Sequence, residues 1–258
     1  MEKITGKNNE IIKGIKKLFS SSGNRRAQSL FVLEGARLVF DVLNSFFEVK
    51  YFLITQNSYD RYTEKAELMI ERSEKSFLIS EDISQRLSET QSSQGVFAVC
   101  KMKENTLELK PSGKYIALDN VQDPGNFGTI IRTAEALGIN SVIAFGGCDA
   151  YNPKALRASM GSILRIPFVQ GNDPEAFFKS AKENGLKLYA TVPGDTAKEI
   201  TKIDFSQGAV CVIGNEANGV SAPVKSLCDE CITIPMLGRA ESLNACTAAA
   251  ITMWEMLR

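Results

Sequence analysis

Apolar and polar residues alternate along the chain in short blocks, and the spacing of these blocks predicts strands that alternate with helices. Ile11, Ile12, Ile15, Leu18 and Phe19 fall on one helical face. Continuous apolar runs at 95–100 and 209–213 are typical of buried strands. Further strands are predicted at 31–33, 51–54, 77–79, 115–118, 141–145, 186–191 and 231–234. Further helices are predicted at 36–44, 61–71, 81–88, 152–160, 175–184 and 243–257.

A change in character after residue 103 predicts a boundary between two domains. Residues 104–114 are charged, contain Pro111 and Gly113 and show no clear period, so they are predicted to form a linker. Before them, alternating elements over residues 1–103 indicate a small α/β sandwich. After them, five predicted strands alternating with helices over residues 115–258 indicate an α/β domain, with a parallel sheet covered on both faces.

Composition describes a soluble globular protein and excludes several kinds of chemistry. The chain has 258 residues, of which 44% are hydrophobic and 23% charged. Apolar runs stay below the roughly 18 residues of a membrane span, and the first ten residues lack the apolar core of a signal peptide, so we expect a cytoplasmic protein without a membrane partner. There is no histidine, which removes Ser-His-Asp and Cys-His catalysis and histidine metal sites.

The six cysteines are expected to be reduced core residues. Cys228 and Cys231 have a spacing that a metal ion could use, but no second pair accompanies them, so we predict a structural role and no metal.

The formal net charge of zero argues against a protein that coats nucleic acid indiscriminately. Residues 1–30 nevertheless hold seven Lys or Arg and only two Glu. Residues 20–29 are polar and basic and are predicted to form a loop, from which Arg25 and Arg26 could reach RNA phosphates.

Three loops follow predicted strands and carry polar side chains. The first contains Asn126 and leads into a helix that ends at Gly138 and holds Arg132 among apolar and small residues. The second is GNEANG at 214–219, and the third is IPMLGRAESLN at 234–244, where Ser242 is predicted to cap the last helix. Ligands in open α/β sheets bind beyond the carboxyl ends of strands, so these loops predict a pocket. The glycine motifs of dinucleotide and triphosphate sites are absent.

These loops together resemble the SpoU (TrmH-type) branch of the SPOUT superfamily, which comprises RNA ribose 2′-O-methyltransferases. The resemblance rests on DPGNFGTIIRTAEALG, VIGNEANGVS and IPMLGRAESLNACTAAA, which occur in this order within residues 115–258. The N-terminal part, including FVLEGARLV, resembles the family's L30e-like substrate-binding domain more loosely.

The resemblance implies a deep trefoil knot in the C-terminal domain, a homodimer and methyl transfer from S-adenosylmethionine to a ribose 2′-hydroxyl. It implies a reacting centre formed by Asn126, Arg132, Glu216, Ser242 and Asn244, with Arg132 supplied by the partner subunit. It also implies a cofactor site that contains Thr191, Gly214, Asn215, Ile234, Met236 and Leu243, with the loop after Thr191 closing over it. Ribosomal RNA, and 23S RNA in particular, is the expected substrate, with Arg157 beside the catalytic pocket as a further RNA contact.

Several alternatives stay open at this point. Arg132 is either a general base or a cation that orients the 2′-hydroxyl, and the second role suits a guanidinium, which keeps its proton in proteins. The substrate could be transfer RNA instead of ribosomal RNA. The chain could also be a catalytically silent RNA-binding protein, or a relative that methylates a base, although Ser242 and Asn244 belong to a ribose-methylating motif.

Overall fold

The structure is a computed structural model that describes residues 1–6, 9–103, 107–194 and 197–258. Residues 104–106 of the predicted linker and residues 195 and 196 of the predicted cofactor loop lie outside the described residues. The strands are β1 (Glu2–Ile4), β2 (Leu30–Glu34), β3 (Val49–Thr55), β4 (Ser73–Ile79), β5 (Val96–Lys101), β6 (Lys114–Asp119), β7 (Ser141–Phe145), β8 (Phe168–Gly171), β9 (Lys187–Thr191), β10 (Lys198–Glu199), β11 (Ala209–Ile213) and β12 (Glu230–Thr233).

The helices are α1 (Glu10–Ser20), α2 (Ser22–Gln28), α3 (Ala36–Asp41), α4 (Gln56–Arg61), α5 (Thr63–Arg72), α6 (Glu81–Leu87), α7 (Pro124–Leu137), α8 (Pro153–Ala158), α9 (Pro174–Glu183), α10 (Ala222–Leu227) and α11 (Ala245–Leu257). Short 3₁₀ turns occupy 42–44, 162–164 and 200–202. In the part of the chain that the structure describes, no helix is long and apolar enough to cross a membrane.

The chain forms two compact units. The N-terminal unit contains Met1–Lys103 and also Tyr151–Arg165, while the C-terminal unit contains Glu104–Ala150 and Ile166–Arg258. The segment that contains α8 therefore belongs to the N-terminal unit, although the sequence places it within the predicted catalytic domain. The predicted boundaries at 103 and 115 stay a prediction.

The N-terminal unit is built on a mixed sheet with the strand order β1-β4-β3-β5-β2. β1, β4 and β3 pair in parallel, and β5 pairs antiparallel with both β3 and β2. The apolar face of α1 packs into the core beside it, as its period predicts. This arrangement confirms the predicted α/β character of the unit.

The C-terminal unit contains a wholly parallel sheet with the strand order β10-β12-β9-β11-β6-β7-β8. The five strands predicted from apolar runs are confirmed as β6, β7, β9, β11 and β12. The edge strands β8 and β10 were not predicted, because four and two residues are too few to show a pattern. β11 lies at the centre of the sheet and is buried along its whole length.

Helix α7 begins and ends where its sequence predicts. Asp123 caps it by accepting a hydrogen bond from the backbone N–H of Asn126 at 2.8 Å, and Pro124 occupies its first turn. Gly138 ends it with φ of 80° in the left-handed region.

Residues 20–29 do not form the predicted loop. Most of this segment is helix α2, and Ser21 caps it by accepting a hydrogen bond from the backbone N–H of Asn24 at 3.2 Å. Arg25 is buried, with 3% of its surface exposed, and its Nη1 donates to the carbonyl oxygens of Leu18 and Phe19 at the end of α1. The loop prediction is wrong because this tertiary contact overrides the low helix propensity of the segment.

Helix α11 brings the chain back to the middle of the C-terminal sheet. The strand before it, β12, is separated from β11 by β9. α11 nevertheless packs against α7, β11 and β6. The chain therefore returns from near the sheet edge to its centre after residue 244, as the predicted knot requires. Small side chains such as the buried Ala249 allow this close packing.

Candidate active site

The three polar loops meet at the carboxyl ends of β6, β9, β11 and β12. The second and third of these loops, together with residues 191–193 after β9, line a cavity of about 560 Å³ in the C-terminal unit. The second loop contributes residues 213–220, and the segment after β12 contributes Ile234, Met236, Ser242 and Leu243 among others. A cavity of this size lies within the range of about 300–1,000 Å³ that small-molecule sites occupy.

All six residues predicted to hold the cofactor line this cavity; they are Thr191, Gly214, Asn215, Ile234, Met236 and Leu243. The six residues therefore share one cavity, and their contact with a cofactor stays a prediction. The Oγ1 atom of Thr191 is buried and has no hydrogen-bond partner among the described residues. Buried hydroxyl groups are almost always paired, so this atom fits a polar group of a bound molecule.

Gly214 is required because the loop folds back against its own start. A Cβ atom at Gly214 would lie 2.1 Å from the backbone carbon of Gly219 and from the nitrogen of Val220. Asn215 and Gly219 exchange two backbone hydrogen bonds, and the side chain of Asn215 accepts from Ala217 at 3.0 Å. The loop is therefore a closed, preformed turn whose backbone faces the cavity.

Glu216 links this turn to the first loop. Its carboxylate accepts hydrogen bonds from the backbone N–H groups of Gln122 and Asp123 at 3.1 and 3.0 Å, and from the side-chain amide of Asn126 at 3.1 Å. Desolvation raises the pKa of Glu216, but the bonds from Asn126 and Gln122 outweigh it, so the pKa lies below its usual value. The carboxylate is thus ionised at neutral pH and accepts at both oxygens.

Asn244 completes a chain of hydrogen bonds across the three loops. Its Nδ2 donates to the Oδ1 of Asn126 at 3.1 Å, and its Oδ1 accepts from the backbone N–H of Cys246 at 2.9 Å. Asn244, and not Ser242, therefore caps α11, so the capping prediction for Ser242 is wrong. Ser242 lines the cavity instead, next to Leu243. Serine and asparagine are both good N-cap residues, so the sequence allows either of them to cap the helix. Only the path of the loop decides between the two.

Arg132 stands apart from the other predicted catalytic residues. It lies on the exposed side of α7, whose opposite side is buried through Phe127, Ile130, Ile131 and Ala134. It does not line the cavity, and it makes no hydrogen bond or ion pair with the residues that the structure describes. Within one subunit the site therefore contains Asn126, Glu216, Ser242 and Asn244 without Arg132.

One residue that shapes the site belongs to none of the three sequence motifs. Asp119 ends β6, is almost fully buried, and accepts a hydrogen bond from the backbone N–H of Ser221 at 2.7 Å. This bond fixes the far end of the loop that contains Glu216. The available signal was an acidic residue at the end of a continuous apolar strand.

One of the three predicted RNA contacts is not where the sequence suggested. Arg25 is buried against α1 and cannot reach a phosphate, whereas Arg26 is exposed. Arg157 belongs to the N-terminal unit, and its Nη1 lies 4.0 Å from the Oε2 of Glu34. Arg165, in the same segment as Arg157, pairs with Asp41 at 3.1 Å. The contact of Arg157 with RNA stays a prediction.

Family comparison matches both parts of the chain. Residues 113–254 match the SpoU rRNA Methylase family, and residues 9–98 match the MRM3-like substrate binding domain. The chain is similar to the 23S rRNA (guanosine(2553)-2′-O)-methyltransferase RlmP of Bacillus subtilis (strain 168), with 35% identity over 257 residues that cover 99% of each chain.

Solved structures with the same fold include two bound to AdoMet. One is an rRNA methyltransferase from Sinorhizobium meliloti, with a TM-score of 0.87, 29% identity and coverage of 99% of this chain and 97% of that chain. The other is the SpoU methyltransferase AviRb from Streptomyces viridochromogenes, with a TM-score of 0.87, 27% identity and coverage of 97% of each chain.

Proposed function

This chain belongs to the SpoU rRNA methylase family, and we propose that it transfers a methyl group from S-adenosylmethionine to a ribose 2′-hydroxyl of 23S ribosomal RNA. The observation that carries the proposal is the hydrogen-bonded chain Asn244–Asn126–Glu216 at the edge of a cavity of about 560 Å³. A silent RNA-binding protein would have no need for these three side chains to be joined across three loops.

The residues around the cavity fit S-adenosylmethionine. Backbone groups near Gly214 and Ile234 would hold its polar parts, Met236 and Leu243 would contact its apolar parts, and Thr191 Oγ1 would gain a partner. When bound, the cofactor supplies an electrophilic methyl group on a sulfonium. The protein's part is then to place the ribose oxygen in line with that group and to exclude water.

Asn126 and Asn244 are the side chains best placed to position the ribose. The side-chain amide of each residue already takes part in the chain of hydrogen bonds, and this fixes its orientation. Glu216 is held by three donors and is therefore a positioning residue, not a base that is free to take a proton. Pre-oriented amides lower the barrier because they need no rearrangement as the reaction proceeds.

A homodimer supplies the cation that one subunit lacks. Arg132 is exposed, is unpaired within the described residues and does not line its own cavity, so it is available to the cavity of a second subunit. Trp254 and Leu257 at the end of α11 are 60% and 42% exposed, which leaves apolar surface for that contact. There Arg132 orients the 2′-hydroxyl or its neighbouring phosphate through forked hydrogen bonds.

Mapping of 2′-O-methyl groups in total RNA, with and without this gene, tests the proposed function. One site in 23S RNA should lose its methyl group without the gene and regain it when the wild-type gene is restored. Loss of a site in transfer RNA would overturn the ribosomal substrate, and unchanged methylation everywhere would favour the silent RNA-binding protein. The proposed substrate also places the enzyme in the cytoplasm.

A further inference from the structure

The N-terminal unit contains a second cavity, of about 380 Å³, that shares no lining residue with the first. One wall comes from β2 and α3 and another from residues 90–94. The third comes from α8 and Met160, in the segment that lies between β7 and β8 in sequence but belongs to the N-terminal unit. No predicted catalytic or cofactor residue takes part in it.

The cavity has an apolar floor and a strained edge. Leu38 and Leu156 are buried, with 8% and 1% of their surface exposed, and Met160 lies beside them. Met160 has φ of 50°, a left-handed conformation that costs a non-glycine residue about 1 kcal/mol or more. Such strain persists only where the surrounding structure holds it, and it concentrates at ligand sites.

Two arginines line the cavity without hydrogen bonds to the described residues, because the one carboxylate of the cavity is already bound elsewhere. The carboxylate of Glu34 is already occupied, because it accepts from the hydroxyls of Ser88 and Thr90 and from the backbone N–H of Glu89. Arg157 Nη1 is buried, has no hydrogen-bond partner among the described residues, and lies 4.0 Å from Glu34, which is too far for a hydrogen bond.

Arg37 is the second cation. It is exposed at the mouth of the cavity and pairs with no group in the ranges that the structure describes. A buried donor without a partner costs free energy, so an anionic ligand that accepts from Arg157 would relieve that cost. Guanidinium groups suit phosphates in particular, since their donors match two phosphate oxygens at once.

We propose that this cavity binds one unstacked nucleotide of the RNA substrate, with its base on Leu38, Leu156 and Met160 and its phosphate at Arg37 and Arg157. The proposal rests on the proposed function for the identity of the RNA. The volume lies near the lower end of the range for ligand sites, which suits a single nucleotide and excludes a duplex. Proteins recognise RNA sequence mainly in such splayed bases, whose edges Thr90 and Gln94 could read at the rim.

Methyl NMR of the full chain with nucleoside monophosphates tests the cavity without any need for methyl transfer. GMP, AMP, CMP and UMP are added separately up to 10 mM, with inorganic phosphate as a parallel titration. We expect at least one nucleotide to shift the methyl signals of Leu38, Leu156 and Met160, and phosphate alone to leave them unchanged. If no nucleotide shifts these signals, the proposal is overturned.

Methylation kinetics with a 23S RNA transcript connect the cavity to the substrate. Arg37→Ala should raise KM for RNA about fivefold, keep kcat within twofold and leave S-adenosylmethionine affinity unchanged, since one phosphate contact is lost. Arg157→Gln should act in the same direction. Arg61→Ala, which removes an exposed arginine of the same unit from outside the cavity, should match the wild type.

The two proposals fail in different ways. If the wild type methylates the transcript and Arg37→Ala and Arg157→Gln both match it, the cavity proposal is wrong and the proposed function stands. If no RNA is methylated but a nucleotide still shifts the cavity signals, the proposed function fails instead. The nucleotide that binds should also compete with the transcript; tight binding of a free nucleotide without competition would identify a free-nucleotide site and overturn the RNA assignment.

Discussion

The Nδ2 atom of Asn244 donates a hydrogen bond to the Oδ1 atom of Asn126 at 3.1 Å, although the two residues are 118 positions apart in the chain. The same Asn126 donates to Glu216 at 3.1 Å, so one amide side chain connects both of the other loops. The amide can do this because it presents an acceptor and a donor on two separate atoms at the same time. The orientation of the reacting centre therefore depends on Asn126.

Replacing Asn126 by Asp should give an enzyme whose activity rises as the pH falls. The new carboxylate would face Glu216, and the repulsion would raise the pKa of the pair. We expect Asn126→Asp to lose about 100-fold of its activity at pH 8 and to recover part of it near pH 5, because a protonated Asp again donates to Glu216. Methyl transfer measured across this pH range provides the test.

Two controls accompany this experiment. In the wild type the pKa of Glu216 is depressed, so its ionised form persists as pH falls to 5 and is lost only below its usual range; the acid recovery should therefore be absent. Asn126→Ala has no group to protonate and should stay inactive throughout. If the activity of Asn126→Asp changes with pH in the same way as that of Asn126→Ala, the hydrogen bond from residue 126 to Glu216 is unimportant.

Arg132 should act in the cavity of the partner subunit. Arg132→Ala is expected to keep S-adenosylmethionine affinity within a few-fold and to lower methyl transfer about 100-fold or more, because it removes orientation of the substrate and not cofactor contact. Calorimetry and single-turnover assays measure the two effects. Loss of cofactor binding in this variant would contradict the assigned role.

Mixed dimers give the sharper form of this test. Arg132→Ala and Asn244→Ala subunits, each inactive alone, should regain activity when mixed, because half of the cavities in a mixed dimer then hold both an intact Asn244 and an intact Arg132. A mixture that stays inactive, although differently tagged subunits of the two variants co-purify as mixed dimers, would place Arg132 in its own subunit's site.

Thr191 should contribute a hydrogen bond to the cofactor. Thr191→Val removes a buried hydroxyl that has no partner among the described residues, so stability without cofactor should stay equal or rise. The Kd for S-adenosylmethionine should increase about 5–10-fold, which corresponds to one hydrogen bond of about 1–1.4 kcal/mol. Calorimetry measures both quantities.

Thr252 provides the matched control for Thr191. Its hydroxyl is also buried without a partner in the described part of the chain, but it lies on α11 and does not line the cavity. Thr252→Val should therefore leave the Kd for S-adenosylmethionine unchanged. Equal effects of the two variants on this Kd would indicate a general change in packing and not a lost contact.

Gly214→Ala should abolish cofactor binding without unfolding the N-terminal unit. The added methyl group would overlap the backbone of Gly219 and Val220, which cannot move away as a flexible side chain could. The turn would have to open, and the wall of the cavity would be lost. Gly238→Ala is the control, because its Cβ would meet no atom within 4 Å. Binding of S-adenosylmethionine by both variants at wild-type affinity would contradict this account of the loop.

The sequence predicted the buried strands well because burial forces a continuous apolar run, as in β11 and β7. It missed β8 and β10, which lie at sheet edges and are too short to show a period. The knot came only from the resemblance, since no periodicity records how a chain passes through itself. The grouping of α8 with the N-terminal unit likewise depends on tertiary contacts that local patterns do not contain.

The site was predictable as a set of residues but not as a geometry. Motif order placed Asn126, Glu216 and Asn244 near one another because strand ends of a parallel sheet share an edge. It could not decide that Asn244 rather than Ser242 caps α11, or that Arg132 lies on the exposed side of α7 and does not line its own cavity. Those facts depend on the loop path and on which face of α7 the core occupies.

The two neighbouring arginines of α2 should have different roles: Arg25 stabilises the fold, and Arg26 contacts RNA. Arg25→Ala would leave the carbonyl oxygens at the end of α1 unpaired, at a cost of about 1–3 kcal/mol, and should lower Tm by several degrees. Arg26→Ala should leave Tm unchanged, weaken RNA binding and flatten its salt dependence by about one released counterion. Lys179→Ala, an exposed charge on α9, is the control for net charge. If Arg26→Ala binds RNA like this control at every salt concentration, Arg26 is only part of a solvated surface.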